Sequence, residues 1–217
     1  MTDSTLSDIM NKLGFKELSR ANWLEADKSS TVFATLLANG NVASITGEDW
    51  LQRLLQPQLV DTVPIEIHQL FEVARGALAY GYFFYPLYTL AAEQLYRVVE
   101  AAVSYKYEAL DGPKPNKTNF EKKIDWLFDN GVLIDTSEIQ RQRAIEQFKS
   151  SFPETEWTPD TEIHIEGIRS EKVSWHAIRH LRNYASHPKR QTIQMPIDAI
   201  RSLRDIAAKI NTLFAAS

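Results

Sequence analysis

The chain has 217 residues, 44% of them apolar and 11% aromatic, which is enough to build a core without staples. It carries no Cys, so disulfides, thiolate metal sites and cysteine nucleophiles are excluded together. A net charge of −4 argues against a general nucleic-acid binder.

The missing thiols fit a reducing, cytoplasmic setting. The opening MTDSTLSDIM has no basic segment followed by an apolar run, so it does not read as a signal peptide. Length and composition suggest one domain, or one domain plus an appendage.

Helical periodicity dominates from the start. The first third predicts short helices over 5–13, 15–26, 30–37 and 48–55, with breaks at Gly14, at Asn39-Gly40-Asn41 and at Pro57. No motif in this part points to a chemistry. A long apolar-periodic segment follows over 65–110. Pro86 should kink or split it, because proline removes a backbone donor and clashes one turn back. Inside this segment Gly76 to Ala92 is uncharged. It borders on membrane-spanning length, yet it holds four Tyr, a Pro and two Gly, and charged helical sequence follows. We read it as a buried helix or a subunit interface, not a membrane span. Its aromatics Tyr80, Tyr82, Phe83, Phe84, Tyr85 and Tyr88 are then core and dimer-interface residues. In YTLAAEQLYRVVEAAV, Glu93, Arg97 and Glu100 share the polar side.

DGPKPNK reads as a loop. Its end superficially resembles a phosphate-binding loop, but the second Gly and the preceding strand are missing and its prolines remove cradle amides. Thr118 with Glu121 three residues later matches a capping box for the helix FEKKIDWLFDNG, which a Gly should stop. On that helix Asp125 and Asp129 read as an ordinary solvated face. A further helix is predicted over 137–149. Then SFPETEWTPDTEIHIEG, 151–167, has five acids, two prolines and no Lys or Arg; it reads as a long acidic loop with a short strand at EIHIE. The last two helices are predicted over 171–187 and 196–214, the second with Pro196 in its first turn.

The 171–187 helix carries the strongest signal. From Lys172 to Ile197 there is no Asp or Glu, but there are five basic residues, against 19 basic and 28 acidic residues elsewhere. Three of the five His fall in the same window. Such a patch on an acidic protein looks like a local anion site. On a wheel of about 100° per residue, Ala177, Ile178, Leu181, Tyr184 and Ala185 form an apolar arc. Lys172, His176, Arg179, His180, Arg182, Asn183, Ser186 and His187 fill the opposite side, and Trp175 falls within that polar arc. A solvated helix end rich in cations would suit the helix dipole, but a solvated face usually mixes signs. His176 and His180 are four apart, as two metal ligands would be, yet no neighbouring residue in the sequence supplies a third, and we expect no metal. No Gly-rich elbow surrounds Ser186, so no triad is read there.

Arg182-Asn183-Tyr184-Ala185-Ser186-His187 resembles the signature of the HEPN superfamily: an Arg, a polar residue, then a His at the end of a late helix in an all-α bundle. The order of helices from about residue 61 to residue 216 is similar too. The resemblance divides the chain into an N-terminal helical region, 1–60, of no assigned role and a HEPN-like helical domain, 61–217. It implies a metal-independent endoribonuclease without cofactor, acting in the cytoplasm as a homodimer whose two motifs face a shared cleft. It also implies an RNA substrate, a role as toxin or defence effector, and an antitoxin or regulatory protein as partner. Arg182, Asn183 and His187 would be the catalytic residues, and Arg179, His176, His180, Lys172, Lys189 and Arg190 would hold RNA. A His can exchange the 2′-hydroxyl and leaving-group protons, and an Arg can stabilise charge on phosphorus. The alternative is a catalytically silent HEPN-like module that binds RNA or a partner through the same helix. The acidic loop would shield the basic face, an expectation that unchanged RNA affinity after deletion of Glu154–Glu166 removes.

Overall fold

The computed structural model describes residues 16–31, 34–36, 40, 42–113, 119–151, 171–185 and 195–215, and they are predominantly helical, as the apolar spacing predicts. In chain order the elements are α1 (Lys28–Thr31), β1 (Ala34–Leu36), β2 (Val42–Ser44), α2 (Gly47–Leu55), α3 (Ile65–Tyr80), α4 (Leu87–Ala109), α5 (Phe120–Asp129), α6 (Ser137–Ser151), α7 (Glu171–Ala185) and α8 (Pro196–Phe214). No helix among the described residues is long and apolar enough to cross a membrane. The chain divides into two compact units, one formed by Met1–Ala102 with Tyr184–Ser217 and the other by Val103–Asn183.

The first unit departs most from the sequence reading. The helix predicted over 5–13 lies outside the described residues. Of the helix predicted over 15–26, residues 16–26 make turns and irregular backbone instead: Asn22 folds back on Ser19, and Lys16 Nζ donates to the carbonyls of Asn22 and Glu25 at 2.7 and 2.8 Å. Local polar side chains here outcompete the helix ladder. The helix predicted over 30–37 is only the single turn α1. Residues 34–36 instead pair antiparallel with 42–44, Thr35 opposite Ala43. Gly40, with φ of +81°, sits between these strands in a conformation that favours glycine.

Helix α2 has a cap that the sequence reading missed. Thr46 Oγ1 accepts from the Asp49 N–H at 3.1 Å, and the Thr46 N–H donates back to Asp49 Oδ2 at 3.1 Å. This reciprocal box satisfies two backbone donors at once. Helix α2 lies against α3 and α8. Buried Leu54, Phe71, Leu78, Leu95, Leu203, Ile210 and Leu213 supply the core. The segment between α2 and α3 is tied to the end of α8: Asn211 accepts from the Val60 N–H (2.9 Å) and donates to Gln58 O (2.8 Å), and Thr62 Oγ1 donates to Phe214 O (2.9 Å). Buried Arg75 donates to Glu72 Oε1 at 2.6 Å and to the Pro57 carbonyl.

The predicted split at Pro86 occurs, but α3 ends a turn and a half earlier, at Tyr80. The following joint is held by a buried carboxylate. Asp27 accepts from the Ser29 and Tyr85 N–H groups, each at 3.0 Å, while its own N–H donates to Tyr82 O at 2.9 Å. The aromatic run does not act as one face. Tyr85 and Tyr88 are buried, Tyr82, Phe83 and Phe84 are half-buried, and Tyr80 is exposed.

In the second unit, Val103, Tyr107, Ile124, Leu127, Leu133, Trp175 and Ile178 are buried. Tyr107 meets Trp126 edge-on, with ring centroids 5.1 Å apart, and its hydroxyl donates to the Pro113 carbonyl. The cap of α5 is Asn119, whose side chain accepts from the Lys122 N–H at 3.0 Å, not Thr118, which lies outside the described residues. The helix stops where predicted, with Gly131 at φ +71°. Helix α6 covers the predicted span and two residues more. The acidic segment 152–167, with its predicted strand, lies outside the described residues. Helix α8 matches its prediction residue for residue, with Pro196 at its start.

Candidate functional site

Helix α7 is amphipathic because the Trp175 and Ile178 positions recur on one side and cations and imidazoles on the other. Its first N–H groups need partners from outside the helix. Asp135 supplies one, accepting from the Glu171 N–H at 3.1 Å. Trp175 is 2% exposed and Ile178 4%. Burial of Trp175 corrects the wheel, which left it in the polar arc: an indole has far more apolar surface to hide than its single N–H can offset.

Lys172 and His176 lie one turn apart on the same side of α7, and both meet α5. Lys172 Nζ is 2.9 Å from Asp125 Oδ1, and His176 Nε2 is 3.2 Å from the same oxygen. An ionised carboxylate only accepts, so both nitrogens donate. Lys172 Nζ also sits 5.9 Å from the centroid of the Phe128 ring. The hydrogen bond from Lys172, aided by the charges of Lys172 and His176, holds the Asp125 carboxyl below its ordinary value, against a smaller opposing effect of burial. The same hydrogen bond raises the Lys172 ammonium. Asp125 keeps 45% of its side chain exposed, as its spacing with Asp129 suggested, but it is paired with two donors of α7. It is the acid that the basic window lacks in sequence, supplied from another helix of the same unit. Sequence carried no signal for this pairing, because 46 residues separate Asp125 from Glu171, where the basic helix begins.

The other expected site residues fall as follows. Arg179, His180, Arg182 and Asn183 stand on the backbone of α7, Arg182 and Asn183 in its last turn. At about 100° per residue, the Arg179 and Asn183 positions return to the stripe of Lys172 and His176. At about 1.5 Å per residue, Arg182 stands roughly 15 Å along the axis from Lys172. The helix ends at Ala185, two residues earlier than predicted, and His187, Lys189 and Arg190 lie outside the described residues. Among the expected site residues whose side chains are described, Lys172 and His176 are brought together, and the contact is through Asp125. No group of three or more metal-ligating side chains occurs among the described residues.

Chemically, the Asp125 carboxylate fixes the ring of His176 and neutralises Lys172. It occupies the place that one phosphate oxygen would take between the same two donors. Phosphate binding at this end of α7 must displace it or bridge around it. The chain matches no family model, no curated protein and no solved structure.

Proposed function

We propose that the protein is a HEPN-like, metal-independent endoribonuclease whose site is built on the C-terminal half of α7. The observation that carries this reading is the acid-free window from Lys172 to Ile197, in which Arg182 and Asn183 stand in the last turn of an amphipathic helix, five and four residues before His187. The proposed reaction needs no outside nucleophile. The RNA 2′-oxygen bonds to the adjacent phosphorus as its proton leaves to a base. The bond from phosphorus to the 5′-oxygen breaks, and that oxygen takes a proton. The products are a 2′,3′-cyclic phosphate and a 5′-hydroxyl. In this reading His187 exchanges these protons, Arg182 stabilises charge on the phosphate, and Asn183 orients either group. A homodimer would supply the second imidazole, and an antitoxin or regulatory protein would hold the nuclease in check.

A second reading is favoured by the Asp125 contacts. They tie down two of the expected RNA ligands, which suits a module that binds RNA or a partner without cutting.

The test is incubation of a labelled RNA pool with pure protein in EDTA, alongside His187→Ala and Arg182→Ala. Cleavage by the wild type alone, leaving cyclic-phosphate ends, is the expected result. Retained RNA binding at low salt without cleavage by any of the three would select the second reading. Loss of both would remove the two readings together.

A further inference from the structure

The first unit holds a cavity of about 280 Å³, drawn from α1 to α4 and from the start of α8. Ordinary packing defects are smaller than this, since interiors rarely leave voids larger than a water molecule. An apolar cavity of roughly 150 Å³ holds one benzene ring. This one is nearly twice that size, which is room for two fused rings.

Its floor is buried and aromatic. Trp50, Tyr88 and Ile200 are 3%, 1% and 4% exposed, and Trp50 meets Tyr88 edge-on with centroids 5.2 Å apart. The polar atoms at this depth are spent on each other and on the backbone. Trp50 Nε1 donates to Leu78 O at 2.9 Å, and Ser30 Oγ donates to Gly81 O at 3.2 Å. The Tyr88 hydroxyl has Ser30 as a hydrogen-bond partner, and burial pushes it well above its ordinary value, so it stays neutral. A water molecule needs about two to four polar partners to settle in such a space. An apolar ring that displaces it gains free energy.

The rim is open. Ala34 is exposed, Ile197 is half-exposed, and Ile45 and Tyr82 are half-buried. The Tyr82 ring lies over Gly47, where an added Cβ would come within 3.2 Å of it, so bare backbone lets this wall sit where it does. Arg53 also lines the cavity, but its charge is already committed. It has a partner within the protein. It also acts on the Asp49 carboxylate one turn earlier, which the Thr46 hydroxyl and N–H, with a smaller contribution from Arg53, hold below its ordinary value. An anion here would have to win Arg53 from these contacts, or leave its charge unpaired among aromatic rings at high cost. The walls therefore favour a ligand without net charge.

We propose that this cavity is a binding site for a small neutral aromatic molecule of about two fused rings, seated against Trp50, Tyr82 and Tyr88 by edge and face contacts. The site is separate from any RNA chemistry at α7. It stands on a rigid frame: α2 is capped by the Thr46–Asp49 box, and α8 enters through Pro196, itself a wall residue.

The test uses the full chain and two probes with one ring system, neutral indole and the anion indole-2-carboxylate, in titration calorimetry. Wild type should bind indole saturably and the carboxylate roughly tenfold or more weakly, because a buried charge without a free partner costs at least that much. Ala34→Trp and Ile197→Trp fill the cavity from its rim, one from β1 and one from α8. Each should weaken indole binding at least about tenfold with the melting temperature held, as loss of the space itself requires. The two come from separate elements, so if one fails to fold the other still decides. Absence of saturable indole binding to folded wild type at millimolar probe overturns the site. Binding of the carboxylate as tight as that of indole overturns the assignment to neutral ligands. Indole binding that a folded filled variant leaves unchanged puts the probe elsewhere and also overturns it.

Discussion

Gly81→Ala tests the packing of the joint between α3 and α4. Two effects oppose each other there. Glycine to alanine reduces the freedom of the unfolded chain and stabilises by about 0.4–1 kcal/mol where the backbone permits it. The backbone permits it: Gly81 has φ −55° and ψ −28°, ordinary helical values. Sterics decide the outcome. A Cβ at Gly81 would lie 2.4, 2.6 and 2.9 Å from Cε1, Cδ1 and Cζ of Tyr88. The ring cannot swing away, because it is 1% exposed and packs edge-on against both Trp50 and Tyr85, each at 5.2 Å. Overpacking of this kind costs about 1–3 kcal/mol. The net expectation is a loss of roughly 1–2 kcal/mol, or a fall in melting temperature of roughly 2–8 °C for a domain of this size. Gly76→Ala is the internal control. It lies within α3, and an added Cβ meets nothing within 4 Å. It should stabilise by about 0.5–1 kcal/mol. Urea unfolding of the three proteins, followed by far-ultraviolet dichroism, gives both differences. A Gly81→Ala midpoint at or above that of wild type would refute the packing argument, since the backbone effect alone would then have won.

Two further outcomes are expected from single contacts. Thr46→Ala removes the capping box of α2 and should cost about 1 kcal/mol in urea unfolding, with Thr46→Ser restoring most of it; equal loss in both variants would show that the hydroxyl is not what matters. Asp125→Asn tests the α5–α7 contact through pH. The folded carboxyl lies below its unfolded value, so its stabilisation is fully present above the ordinary carboxylate range and is lost as pH falls through the folded value. The difference between wild type and Asp125→Asn should therefore shrink as pH falls below about 4. The effect will be small, because the Asp125 side chain is 45% exposed and solvent screens the pair. A difference that does not vary with pH would mean that the Lys172 and His176 contacts do not perturb the carboxyl.

The sequence by itself determined the helices whose signals are local. Helix α8 begins at a proline and repeats its apolar residues every three or four positions. Helix α5 is stopped by a glycine that adopts positive φ. The split near Pro86 follows from one missing donor. Short-range chemistry of this kind needs no partner, so it can be read from a window of a dozen residues. The acid-free stripe of α7, with Lys172 and His176 one turn apart, was legible for the same reason.

Tertiary structure decided everything that depends on a distant residue. Residues 34–36 became a strand because 42–44 lay across from them, and a three-residue pairing has no periodicity of its own to announce it. Trp175 moved from the polar arc into the core because burial of a large ring outweighs its place on a wheel. Asp125 is partly exposed, as read from its spacing with Asp129, but only the fold pairs it with Lys172 and His176. The cavity beside Arg53 draws its walls from α2, the α3–α4 joint and the start of α8, segments more than a hundred residues apart in the chain. Local rules set what each segment is. Only packing sets which charges meet and which spaces are left open, because those depend on side chains whose sequence separation carries no information about their distance.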